Sequence, residues 1–304
     1  MKRVWIVAVI VLSLAMGVSA QSVGDLVKLS KEGNFAEIIK QAPAVVAKSV
    51  GRDKYLAQRL HATALVETGK VEEGIKMYED IIKAPGVTQL ENESIQVRLA
   101  DILFRNAKRP EDALAKYRTL VTAENPEARV KAKQGVGKVL WQQKKYAESV
   151  TAYEAALKDE AATTNDKVSC NIWIGRTYMW QLNQPAKAKE PYKQVVLLTD
   201  KPQLLAEALN RTKVGAKELV DSLQARAKAP VFKDLLKLAI EKAVTEEGLS
   251  TYDHAYCLYK IQGFMVDETV WASELSTVWT RINRLTGIVG VNQKALEDWL
   301  KVNK

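Results

Sequence analysis

The sequence predicts an all-α protein built as stacked antiparallel helix pairs with a C-terminal helical cap, and three observations carry that expectation. Chain breakers are scarce, with 15 Gly and 8 Pro in 304 residues against the roughly 12% of an average protein, and this scarcity excludes an all-β sandwich. Apolar and small residues return about every three dozen positions. Short polar strings divide each period into two amphipathic segments. With 47% hydrophobic and 27% charged residues, the chain can bury a sizeable core.

Residues 1–20 read MKRVWIVAVIVLSLAMGVSA: two cations, an apolar run from Val4 to Met16, then small residues ending Val18-Ser19-Ala20. This is the order of a cleavable secretory signal. The run is short of the roughly 20 residues that cross a bilayer as a helix, and no Cys follows it to accept a lipid. The mature chain is therefore expected to start near Gln21, to be exported to the periplasm or beyond, and to keep no membrane span. In an oxidising compartment Cys170 and Cys257 could close a long loop; two separately buried thiols on apolar helices is the plainer expectation.

The repeat begins next. Phe35, Val71, Pro110, Tyr146 and Pro185 follow one another at alternating shorter and longer steps of about three dozen positions. Three positions after each come Ile38, Gly74, Ala113, Ser149 and Ala188; seven after come Ala42, Tyr78, Tyr117, Tyr153 and Tyr192; ten after come Val45, Ile81, Leu120, Ala156 and Val195. Offsets of three, four and seven lie on one helical stripe, and a small residue in the stripe lets a neighbouring helix approach closely. Each mark therefore starts a second helix. Upstream, Leu29, Leu65, Phe104, Leu140 and Tyr178 recur six or seven residues before the marks, and the turns KEGN, ETGK, NAKR, QQKK and LNQ stand between. Two antiparallel helices per unit follow.

The segments EEGIKMYEDIIKAPG (72–86), EDALAKYRTLVTAENP (111–126) and AESVTAYEAALKD (147–159), with GVGKVL (135–140) and WIGRTY (173–178) on first helices, resemble the tetratricopeptide repeat family. Pro85, Pro126 and Pro202 match the family's closing proline. The periods are longer than the family's own, the first repeat is degenerate, and Asp101 stands where the third repeat should carry a small residue. The resemblance implies a right-handed superhelix over residues 21–202, in about five helix pairs, with first helices lining a concave face that holds extended peptides or partner helices.

Residues 203–304 are expected to be helical without clear repetition. LLAEALNRTKVGAKELVDSLQARAK (204–228) reads as one long helix, Pro230 breaks it, and FKDLLKLAIEKAV (232–244) is the next. Stripes at Trp271, Leu275, Val278, Trp279 and Ile282, and at Leu296, Trp299 and Leu300, complete a divergent cap.

Function follows from the surface of the array. Outward positions of the first helices carry Arg59, Arg98, Arg105 and Asn106, and further along Gln134, Lys138, Trp141, Arg176 and Trp180. This basic and aromatic set suits a protein or peptide partner, acidic or ending in a free carboxylate, because guanidinium groups pair with carboxylates and Trp offers a large contact area. The family's carboxylate clamp is not reproduced, since Thr63 and Ile102 occupy its asparagine places, so a chaperone-tail receptor is not expected. The formal charge of +9 is interspersed with 36 acidic residues rather than clustered, which argues against nucleic acid.

The sequence calls for no catalytic residue, metal or cofactor. The string GVGK (135–138) lacks the spacing of a phosphate loop, with Ala132 and Val139 where Gly and Ser or Thr are needed. Asp253, His254 and Cys257 fall close together on a helix, and a metal or thiol site there defines the competing assignment, an envelope enzyme or enzyme subunit. A capping aspartate beside a partly buried cysteine explains the same residues. A self-assembling envelope component is the third possibility.

Overall fold

The computed structural model describes residues 22–265 and 268–304; the expected leader, residues 1–20, lies outside them. The described residues form sixteen α-helices and no strand. The first ten follow one another as helix-turn-helix units: α1 (Val23–Lys31) and α2 (Phe35–Lys48), α3 (Gly51–Glu67) and α4 (Val71–Ile82), α5 (Gln89–Arg105) and α6 (Pro110–Leu120), α7 (Pro126–Gln142) and α8 (Tyr146–Leu157), α9 (Thr164–Arg176) and α10 (Pro185–Leu198). Phe35, Val71, Pro110, Tyr146 and Pro185 are thus the first residues of the five second helices.

The turns repeat as faithfully as the helices. Two residues before each second helix the backbone is left-handed, at Gly33, Gly69, Lys108, Lys144 and Asn183, with φ between 49° and 89°. Only Gly adopts this region without strain and Asn tolerates it, so Lys108 and Lys144 are held there by what surrounds them. The following amide reaches back to close the first helix: Asn34 to the Leu29 carbonyl (2.9 Å), Lys70 to Leu65 (2.8 Å), Lys145 to Leu140 (2.9 Å) and Gln184 to Tyr178 (2.7 Å). These are helix-closing bonds of the Schellman type, and the recurrent apolar residues upstream of four of the marks supply the accepting carbonyls; before Pro110 the Arg109 amide takes Leu103 instead (2.8 Å). First helices α1, α5 and α9 open instead on side-chain caps, Ser22 with Asp25, Thr88 with Glu91 and Thr163 with Asp166.

The predicted stripe is the core. Ile38, Tyr78, Ala113, Tyr117, Ser149, Tyr153, Ala188 and Tyr192 are all at most 1% exposed. On the first helices, a Cβ at Gly137 would sit 2.9–3.0 Å from the Tyr153 ring and one at Gly175 3.1–3.2 Å from the Tyr192 ring. Glycine there is what lets a second-helix tyrosine lie against the first-helix backbone. Asp101, the apparent departure in the third repeat, accepts a 2.6 Å bond from the Tyr117 hydroxyl. Burial and the Asp101 carboxylate together hold that phenol far above its ordinary pKa.

Two compact units divide within residues 120–125: residues up to 119 with 123–125, and residues 126–304 with 120–122. In the first unit Leu26, Ile38, Ala42, Val45, Ala57 and Ala64 form one cluster. In the second unit a cluster around Val150, Tyr153 and Cys170 accompanies a larger core running from Val168 on α9 to Leu300. That larger core is closed by α11 (Pro202–Leu209), α12 (Ala216–Leu223), α13 (Phe232–Thr245), α14 (Thr251–Gln262), α15 (Glu268–Thr286) and α16 (Gln293–Val302).

One expected helix is divided. Residues 204–228 are α11, an irregular segment at 210–215, α12 and a 3-10 turn at Gln224–Arg226. The break has a physical cause: Val214 turns into the core at 3% exposure, and the Ala216 amide is taken by the Glu246 carboxylate at 2.7 Å, so α12 starts afresh. Cys170 and Cys257 are both free and buried.

Polar ties join elements about one repeat apart. Glu93 accepts the Asn125 amide (2.7 Å); Arg129 holds Asp159 through two bonds (2.8 and 3.0 Å) with Lys133 adding a third (2.8 Å); Lys131 and Gln134 share an oxygen of Asp166 (3.0 and 2.9 Å). Arg226, 6% exposed, caps the end of α10 by donating to the carbonyls of Val196 (2.8 Å) and Thr199 (3.2 Å). Burial lowers its pKa to about 10.

Candidate functional site

The first-helix residues expected to carry binding fall into different surroundings. In the first unit, Arg59 lines a cleft of about 480 Å3 between α3 and α5, together with Arg52, Leu56, Leu90 and Glu91. Arg52 faces Glu91 at 3.6 Å. Arg98 pairs with Glu67 at 3.4 Å, while Arg105 and Asn106 stand exposed at the end of α5. In the second unit Gln134 is a correction: it is 3% exposed, and its amide is bound to Asp166. Polar character does not place a residue outward when a buried carboxylate on the next first helix, α9, needs a donor. Lys138 is half-buried.

Trp141, Arg176 and Trp180 are brought together. They line a pocket of about 480 Å3 with Trp173, Gln181 and Glu207. The back wall is rigid, because Trp141 meets Trp173 edge to face at 5.4 Å and Trp173 stacks on the buried Tyr153 at 6.2 Å. The outer wall comes from an irregularity. After Arg176 the helix loosens into a π-helical turn, Thr177–Gln181, and the extra residue in that turn carries Trp180 to the surface, where it is 52% exposed. An exposed indole opposite two fixed ones is a surface that gains from being covered.

The charge of the pocket differs from the expectation. Arg176 is bound bidentately by Glu207, at 2.9 and 2.6 Å, and the carboxylate also meets the Tyr192 hydroxyl at 3.4 Å. The bonded guanidinium holds the Glu207 carboxyl below its usual range, while burial, with Glu207 second, pushes the Tyr192 phenol up to about 12. Two N–H groups of the Arg176 guanidinium are therefore engaged by Glu207, whose carboxylate offsets its charge within the pocket. Glu207 and Trp173 were not singled out by sequence. Glu207 carries a readable signal, since its distance along the chain from Arg176 is the same as that between Glu67 and Arg98, close to one repeat.

The cluster of the competing assignment is structural. Asp253 is bound by Ser250 (2.7 Å) and Lys217 (3.1 Å), the Nδ1 of His254 lies 2.8 Å from the Ala243 carbonyl, and Cys257 is fully buried, with its pKa pushed up to about 12 by burial. A thiol so placed is a poor nucleophile. Among the described residues no group of three or more His, Cys, Asp or Glu could hold a metal ion, and no helix is long and apolar enough to cross a membrane.

The profile of the tetratricopeptide repeat family matches residues 59–129. Those residues are similar to tetratricopeptide repeats, and the register of helix starts within them, at Val71 and Pro110, recurs from α2 to α10. Comparison with curated proteins finds no match. Among solved structures, the C-terminal part of a TPR repeat-containing protein from Cytophaga hutchinsonii is 16% identical, with 91% of this chain and 99% of that chain covered, at a TM-score of 0.48. A tetratricopeptide repeat protein from Parabacteroides merdae is 15% identical (92% and 96% covered, TM-score 0.44). YrrB, described as a TPR protein with an unusual peptide-binding site, is 15% identical (62% and 90% covered, TM-score 0.42).

Proposed function

We propose that the mature chain is an exported, non-catalytic scaffold that holds a peptide or protein segment against its helical repeats. Tetratricopeptide repeats over residues 59–129 support a role in protein–protein interaction. The observation that carries the peptide reading is the pocket walled by Trp141, Trp173 and Trp180, whose outermost indole is half exposed although the others are fixed by packing. Export rests on the charge, apolar run and small residues of positions 1–20. A preference for acidic or carboxylate-ended partners rests on the net charge, +9 for the whole sequence and so +7 once Lys2 and Arg3 leave with residues 1–20.

The test is affinity capture from envelope extract with the mature chain and its Trp180→Ala variant. Trp180 is exposed enough to be removed without disturbing the core, so the variant is expected to fold and to lose its main captured protein by at least tenfold, as for a central aromatic contact. Equal capture by both proteins would contradict the reading.

A further inference from the structure

The sequence placed carboxylate recognition on Arg59, Arg98, Arg105 and Arg176, yet Arg98 and Arg176 already hold Glu67 and Glu207. The surplus of positive charge in the second unit lies elsewhere. A second cavity, of about 540 Å3, opens between α10 and the irregular segment after α11, lined by Lys189, Lys193, Arg211 and Lys213 with Glu190. Lys193 is paired with Glu218, which leaves exposed Lys189, Arg211 and Lys213 against Glu190, and Glu190 accepts a bond from Gln194 at 2.8 Å. Three cations facing one acid form a cavity that attracts anions.

The two cavities are neighbours. Glu207 of α11 lines the aromatic one and Leu209, just two residues on, lines the cationic one. The Arg211 guanidinium lies over the Trp180 ring at 5.7 Å from its centroid, so the exposed wall of the aromatic pocket is also the edge of the basic one. This contact argues against a cationic occupant: one face of Trp180 already has its cation, and the Glu207 carboxylate is neutralised by Arg176.

We propose that these cavities form one bipartite recognition site for an acidic peptide segment, in which Trp141, Trp173 and Trp180 take a large apolar or aromatic side chain while Lys189, Arg211 and Lys213 take carboxylates close to it in sequence. The inference rests on the scaffold reading and deepens it by placing the acidic preference on named residues beside an aromatic anchor pocket. Because Arg211 touches Trp180, the carboxylates belong within two or three residues of the anchoring side chain, at about 3.3 Å of extended chain per residue. The cationic half sets attraction and salt dependence, and the indoles set the register.

The experiment measures calorimetric binding of three synthetic peptides to the mature chain. Each is about ten residues long, enough at about 3.3 Å per residue to cover both cavities. The first carries one Phe among Glu and Asp, the second has that Phe replaced by Gly, and the third has the acids replaced by Lys. The first is expected to bind at least tenfold more tightly than either of the others, and to weaken as salt is raised. Trp180→Ala is expected to erase the preference for Phe and keep that for acids; Lys189→Glu with Lys213→Glu is expected to erase the preference for acids and keep that for Phe. All three substituted residues are exposed, and circular dichroism verifies folding. No measurable binding of the acidic Phe peptide at millimolar concentration, equal binding of all three, or preferences unchanged in the variants would each overturn the site. If that happens while Trp180→Ala still loses its captured protein, the bipartite site fails and the scaffold reading stands. If capture too is unchanged, both fail.

Discussion

Gly74→Val is expected to lower the free energy of unfolding by about 3 kcal/mol, the upper end of what overpacking a close contact costs. Gly74 occupies the small position of the second-helix stripe, where α4 lies directly on α3. A Cβ there would meet the Val66 Cγ2 at 2.5 Å and the Ala62 carbonyl oxygen at 2.9 Å. The first neighbour can turn aside, but the second is backbone, so the helices themselves must separate. Even Gly74→Ala, which gains about 1 kcal/mol of helix propensity, is expected to be destabilising overall. Gly24→Ala on α1 is the contrast, because its Cβ would find only the Ser22 hydroxyl at 3.5 Å; that variant is expected to be neutral or slightly stabilised. Urea unfolding of the three variants beside the wild type checks the set.

Asp159→Asn is expected to cost about 3 kcal/mol at neutral pH, the scale for breaking a buried charge pair by removing one partner. The carboxylate is 3% exposed and accepts from Arg129, Lys133 and the Ala161 amide, so the change leaves two partly buried cations facing a neutral group. The bond from Arg129, followed by that from Lys133, holds the Asp159 carboxyl far below its ordinary value against the opposing effect of burial. A carboxyl lowered on folding contributes stability that is complete above the unfolded pKa of about 3.9 and is lost as pH falls through the folded value. The gap between wild type and Asn variant is therefore expected to be widest above about pH 5 and to narrow below about pH 4. A gap of constant size from pH 7 to pH 3 would show that the cluster contributes nothing electrostatic.

The architecture was legible because its causes are local and repeated. Helix starts fell at Phe35, Val71, Pro110, Tyr146 and Pro185 because one apolar face per helix must be covered, and the residues covering it recur with the repeat. Two features lay beyond that pattern. The break at 210–215 depends on the Glu246 carboxylate, 30 residues away, capturing the Ala216 amide, which no local propensity announces. The inward turn of Gln134 likewise answers the Asp166 carboxylate across the helix pair.

Of the proposed site, the aromatic half alone was legible. Trp141 and Trp180 share a first-helix position one period apart, and large aromatics at outward positions attract notice on composition alone. Their meeting with Trp173 requires the π-helical turn that follows Arg176, a backbone irregularity that periodicity cannot forecast. The basic half proposed above was not read from the sequence, because positive residues were read without their partners. Arg98 and Arg176 each find an acid nearly one repeat away along the chain, whereas Lys189, Arg211 and Lys213 lie outside the first-helix stripes and were passed over.

Amide hydrogen exchange on residues 21–304, alone and saturated with the protein they capture, tests most directly where the proposed scaffold holds its partner. The account predicts new protection concentrated in the last turn of α9, the π-helical turn at Thr177–Gln181 and residues 207–213. Protection confined to α1–α6, or to α14–α16, with the indole-walled pocket unchanged, would contradict it.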